Sequence, residues 1–321
     1  MLKLLVVLLN LSLLVNSSLS QDIAYKIQEI ELNEADQYQL ISCDKINIVK
    51  YNKETLSILD LAIKEKIIKT FKDSNNLSIY TNNEAIVAIN NINKHTKDIY
   101  VYIYDKAVKD FVLDTLYSFT SPYDVVNVII DNNTKEPVLL EVDFQSEDII
   151  KYFLNYTIRD RRYQISSQQS SNGRLEIPLV VLGEKNFFVK RTEYKIYEFN
   201  NDGLKLREIE YDSLIISPYT EEEILNTPLP IRYHLTAGID FPSEIISISQ
   251  SEDRFYILRD RRNEHNDYLY LDIFNQINEF LFRKKIGLQN NIKVIDAIVC
   301  RNQVYLIGEE DMNFKLFIYE I

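Results

Sequence analysis

Apolar and polar positions alternate with a period of two in run after run along this chain, with short polar turns between the runs. Examples are Lys45–Tyr51 (KINIVKY), Asp98–Tyr104 (DIYVYIY), Asn186–Arg191 (NFFVKR), Arg254–Leu258 (RFYIL) and Asp267–Ile273 (DYLYLDI). β-Branched and aromatic residues fill them, which suits a pleated, half-buried surface. Helical periodicity is almost absent after the first twenty residues. The pattern predicts an all-β chain.

A longer period lies over the short one. Six segments repeat an apolar strand, a polar turn and a second strand: QLISC-DK-INIVKY, SIY-TNNE-AIVAI, VVNVII-DNNTKEP-VLLEV, IPLVVL-GEK-NFFVKR, IISIS-QSED-RFYIL and IDAIV-CRNQ-VYLIG. The second strands begin near positions 46, 85, 138, 186, 254 and 303, about 51 residues apart on average. Each of the first five segments continues into a third and a fourth strand. The last supplies three strands and stops, and the run Ile23–Leu32 near the start offers the missing fourth. Four antiparallel strands at this spacing form the blade of a β-propeller. The chain resembles a secreted six-bladed β-propeller whose last blade is closed by the N-terminal strand. No WD dipeptide, kelch double glycine or sialidase Asp-box accompanies the pattern.

Met1–Ser20 has the three-part layout of a secretory signal peptide: Lys3, an apolar run from Leu4 to Val15, and small residues at Ser18 and Ser20. The run is short for a membrane span, which needs roughly 20 residues. The organisation expected is a signal peptide over 1–20 and one propeller domain over 21–321. No membrane span is expected in the mature chain, and the product is expected outside the cell. One segment breaks the rhythm: residues 217–242 hold four of the seven prolines and read as an insert, with a helical turn begun by the Thr220 and Glu223 capping pair.

Composition narrows the chemistry. Six isolated glycines leave no phosphate-cradling loop, and 36 basic against 48 acidic side chains argue against nucleic acid as a partner. No GxSxG or HExxH motif is present, and three histidines are few for a multi-histidine metal enzyme. No cofactor and no metal site is expected. His95, His265 and His234 all fall on the face that carries the connections between blades and between second and third strands. The insert on that face adds Tyr219, Arg232 and Tyr233, residue types that dominate interface hot spots. Cys43 and Cys300 occupy the same place in the first and last repeats, a pairing that predicts a disulfide across the ring seam. Asn76 and Asn132 are sequons in turns, open to glycosylation; Asn155 is a sequon within a strand. The word RDRR occurs twice, at 159–162 and 259–262, and reads as a charged surface patch.

These features point to a secreted, non-catalytic binding protein that meets an extracellular protein or small ligand through loops of one face. Two other readings remain open at this point. One is a carrier of a small hydrophobic or pigment ligand. The other is a metal-dependent, lactonase-like hydrolase, for which inner strands offer Asn127, Asp131 and Asp296.

Overall fold

A computed structural model describes residues 23–32, 36–42, 46–52, 54–62, 64–71, 77–82, 85–91, 96–120, 123–131, 136–146, 149–156, 161–169, 179–182, 186–190, 195–200, 205–209, 244–250, 254–260, 267–275, 280–289 and 291–321. The chain divides into two compact units, one of Ala35–Glu244 and one of Met1–Glu34 with Ile245–Ile321. All regular structure among the described residues is β.

Strand β1 (Ile23–Glu31) belongs to the second of these units. The larger unit follows it as four antiparallel meanders. They are β2 (Gln37–Ser42), β3 (Ile46–Tyr51), β4 (Thr55–Leu59) and β5 (Glu65–Thr70); then β6 (Leu77–Asn82), β7 (Ala85–Asn91), β8 (Thr96–Asp105) and β9 (Asp110–Thr120). The third comprises β10 (Asp124–Ile130), β11 (Pro137–Ser146), β12 (Ile149–Tyr156) and β13 (Arg161–Gln169), and the fourth β14 (Leu179–Val181), β15 (Asn186–Lys190), β16 (Lys195–Phe199) and β17 (Lys205–Ile209). Each is a separate four-stranded sheet in sequence order. Successive meanders pack face to face around shared cores. Ile41, Val49 and Leu56 meet Ile79, Ile86 and Ala88; Val87, Ile99 and Val101 meet Ile130 and Leu139; Leu140 and Leu154 meet Val180 and Phe188. First strands adjoin at one edge: Gln39 Nε2 donates to the Ile79 carbonyl at 2.7 Å, and Thr81 Oγ1 to the Leu40 carbonyl at 2.8 Å. This is the blade packing of a β-propeller.

Burial grades across each meander. The second strands β7 and β11 are buried on both faces, over Ala85–Ile89 and Val138–Asp143, because each has a neighbouring sheet on either side. The half-buried surface expected from alternation belongs to the outer strands instead; β5 has no buried residue, and β9 exposes Val112, Leu113 and Leu116. Turns are tied by Asn and Asp in place of glycine. Asn52 Oδ1 accepts the Glu54 and Thr55 amides, and Asp60 Oδ1 those of Ala62 and Lys64.

The smaller unit holds β18 (Glu244–Gln250) from its second residue on, β19 (Arg254–Asp260), β20 (Tyr268–Asn275), β21 (Phe280–Gly287), β22 (Lys293–Cys300), β23 (Gln303–Glu310) and β24 (Asn313–Glu320). Its eight strands run β18-β19-β20-β21-β1-β24-β23-β22. The N-terminal strand closes the last meander, as the repeat pattern predicts: β1 pairs antiparallel with β24 from Tyr25↔Glu320 to Glu31↔Lys315. It also makes a short parallel join to β21, at Ile23↔Lys285 and Ala24↔Ile286, which no sequence pattern announces. Leu258, Leu271, Ile286, Val299, Leu306 and Phe317 form the core between the two meanders of this unit. Among the described residues, no helix is long and apolar enough to cross a membrane.

Candidate functional site

The parallel join has a geometric consequence. β1 stays beside β21 for only two residues and then follows β24, while β21 ends at Gly287 and β22 begins at Lys293. The two paths diverge and leave a cleft of about 360 Å³ at the ends of the strands. β1 contributes Lys26 and Glu29, β24 contributes Lys315, Phe317 and Tyr319, and Asp267 with Tyr268 stands at the head of β20. The walls are fixed by the backbone. Leu288 N donates to the Asp267 carbonyl and the Tyr319 hydroxyl to the Gly287 carbonyl, both at 2.8 Å. Gly308 lies beneath the floor, where a Cβ would stand 3.0 Å from Phe317 Cε2 and overlap Ile292.

The charges of this cleft form a chain. Lys26 Nζ pairs with Glu29 at 2.8 Å, Lys315 Nζ with Glu29 at 3.4 Å, and Lys315 with Glu310 at 3.2 Å. The hydrogen bond from Lys26 holds the Glu29 carboxyl below its ordinary 4.5, with burial opposing it. Hydrogen bonds to Glu310 and then Glu29 push Lys315 above its ordinary 10.5. Asp267 stands apart: its exposed carboxylate has no ion pair among the described residues. Two aromatic walls already face cations. Lys26 Nζ is 5.8 Å from the centroid of Phe317, and Lys285 Nζ is 5.6 Å from that of Tyr268.

A second cleft of about 430 Å³ adjoins the first through Glu310 and Lys315, and adds Glu31, Leu32, Asp311, Asn313 and Phe314. Between the two runs the β23–β24 hairpin. Its turn residues Asp311 and Met312 have φ of 49° and 66°, the paired positive angles of a type I′ turn. Cys300 to Gln303 repeats the device with Arg301 and Asn302 at 50° and 62°.

The residues singled out from sequence fare unevenly. Tyr219, Arg232, Tyr233, His234, His95, His265, Cys43, Asn76 and Asn132 all lie outside the described residues. Cys300 ends β22, half-buried; near it, burial and then the cysteine's charge push the Tyr305 hydroxyl upward. The strand sequon Asn155 is engaged inside its sheet, its Nδ2 donating to Glu141 Oε1 at 3.0 Å. The lactonase-type candidates Asn127 and Asp296 follow β-bulges on β10 and β22, and each turns its side-chain oxygen to the next amide at 2.8 Å.

The reading of RDRR as a surface patch is corrected at Arg259, whereas Arg161 and Arg162 of the other copy are exposed as expected. Arg259 is 1% exposed and its Nε lies 3.0 Å from the wholly buried carboxylate of Asp272, which Arg283 also holds. In the other copy, Arg162 lies between the rings of Tyr123 and Phe153, at 3.8 and 3.7 Å, and its Nε donates to the buried Glu141 at 2.9 Å. Both arginines serve carboxylates inside the sheets, because a buried carboxylate needs a cation and hydrogen bonds on its oxygens. No local pattern marks the partner carboxylates: Asp272 is one strand away from Arg259, and Glu141 is two strands away from Arg162.

No family model and no curated protein matches this chain. Solved structures similar to it include the β-propeller domain of the Trilobed protease from Pyrococcus furiosus, at 11% identity and TM-score 0.42, covering 92% of this chain and 82% of that one. Sqt1 of Saccharomyces cerevisiae is similar at 11% identity and TM-score 0.40, over 92% of this chain and 98% of its own. The AfRom2 CNH domain is similar at 10% identity and TM-score 0.39, over 92% and 80%. What stands on the geometry alone is an all-β chain of propeller-type meanders with a charged cleft beside its N-terminal closing strand.

Proposed function

We propose that this chain is a secreted binding protein without catalytic activity, a ring of six meanders that meets its partner at the strand ends. The layout of Met1–Ser20 supports secretion. The reading is carried by the cleft beside β1, a hollow of about 360 Å³ whose rim is held by the Lys26–Glu29–Lys315–Glu310 chain of ion pairs. A concave site with a few fixed charged groups beside aromatic walls suits recognition. The cleft also sits where β20 begins and β21 ends, at the strand ends of its own unit. The Cys43–Cys300 bridge and glycosylation at Asn76 and Asn132 belong to the same proposal, since both modifications accompany secretion.

The test is capture. Immobilised protein is exposed to the extracellular fluid of its source, beside two variants. Glu29→Ala removes the centre of the ion-pair chain, and Gln289→Trp blocks the mouth at an exposed position. Wild type retains a defined component that both variants lose. Retention by both variants, or hydrolytic turnover by wild type that Gln289→Trp abolishes, overturns the reading.

A further inference from the structure

Resting on the reading of this cleft as a binding site, its chemistry also specifies the charge of what binds. Lys26, Glu29, Lys315 and Glu310 compensate one another within the chain of ion pairs. Asp267 is exposed and without an ion pair among the described residues, beside the ring of Tyr268 that the Lys285 ammonium covers. The adjoining cleft adds Glu31 and Asp311, so the surface around the β23–β24 hairpin is negative. Two rings that line the first cleft, Phe317 and Tyr268, already carry a lysine ammonium of this same chain within cation–π distance. These walls therefore accept cations. The Lys26 side chain is half exposed at the rim, held by one carboxylate, and is the group an incoming cation displaces from Phe317. The net charge of the whole chain, −12, steers positive partners toward it and acidic ones away.

We propose that the cleft takes the guanidinium or ammonium of a basic side chain from an extended peptide segment of a partner protein, on the Asp267 carboxylate and against the aromatic walls. The cleft volume of about 360 Å³ fits one long side chain and its flanking backbone. Main-chain groups of Gly287–Gln289 border the same space.

Calorimetric titration of the full mature protein tests this, with end-blocked pentapeptides carrying a central arginine, glutamate or glutamine, and with spermidine. The arginine peptide binds and weakens with salt, while the glutamate and glutamine peptides bind at least tenfold more weakly. Asp267→Asn lowers the arginine-peptide affinity about fivefold, the loss for one partly exposed ion pair, and flattens the salt dependence. Unchanged affinity in Asp267→Asn, equal binding of the glutamate peptide, or binding of spermidine without the arginine peptide overturns the proposal. The two levels fail separately. If Gln289→Trp loses the captured component but no arginine peptide binds, the cleft is a binding site for another chemistry. If capture ignores the cleft altogether, the binding reading itself fails.

Discussion

Single residues show what a chain so poor in glycine gives up. Its tight turns place Lys109, Arg301, Asn302, Asp311 and Met312 at positive φ, where a side chain with Cβ crowds the carbonyl that follows. Met312 is 74% exposed and makes little packing contact in return for that strain. Met312→Gly turns the hairpin into Asp-Gly, a favoured type I′ pair, and is expected to raise stability by about 0.5–1 kcal/mol. A shift of the urea midpoint at constant slope measures it; a lower midpoint contradicts the strain argument. The buried Asp272 makes the opposite case. It pairs with both Arg259 and Arg283 across β19, β20 and β21, so Asp272→Asn takes the charged partner from a buried guanidinium and costs about 3 kcal/mol. Thermal unfolding decides that, and a change under 1 kcal/mol refutes it. The second RDRR word contains one partner of this cluster, but the word alone misleads. Burial of Arg259 depends on Asp272, which reads in sequence as an ordinary polar position of an alternating strand.

At the level of elements, β1 is the weakest member of its sheet. Only Ala24 of the strand is buried, Ile23, Tyr25 and Ile27 are exposed, and its attachment includes a backbone ladder and the pairs around Glu29 and Lys315. That attachment depends on pH with a definite sign. Glu29 has a depressed folded pKa, so its contribution is present above the unfolded value near 4.5 and is lost as pH falls through the folded one. Lys315 has a raised folded pKa, so its contribution is full below about 10.5 and is lost as pH rises through the folded value. Both therefore hold at neutral pH. Amide exchange in β1 is expected to quicken, after correction for intrinsic rates, as pH drops below 4.5. In Glu29→Gln it should be fast already at pH 7. Equal protection in the two proteins at pH 7 contradicts an electrostatic clasp. Removing residues 1–31 leaves the outer side of β24 unpaired, an edge of eight residues open to aggregation. The truncated protein should be insoluble or oligomeric by size-exclusion chromatography, and a stable monomer argues against β1 as the closing strand.

For the whole molecule, the repeat was legible because it is written in local pattern. Second strands begin at Ile46, Ala85, Pro137, Asn186, Arg254 and Gln303, within a residue of the positions read from alternation, and Ile23 opens the closing strand as expected. The burial of β7 and β11 on both faces was not legible from alternation, since it arises from the sheets stacked on either side. The cleft was invisible for a related reason: it exists only because β1 parts from β21, bringing Lys26 and Glu29 to Lys315 and Asp267 from opposite ends of the chain. No short-range signal marks such a meeting. Asp267 reads in sequence only as the first residue of an alternating run; its separation from the compensated lysine–glutamate chain is a three-dimensional property.

The central claim is that recognition occurs in the cleft beside the closing strand. Its most direct test is hydrogen exchange of the full mature protein, alone and saturated with the component it captures from its own fluid. Slowed exchange concentrated in residues 267–268, 287–292 and 310–317 is the predicted result. Protection confined to other strands, with these segments unchanged, contradicts it.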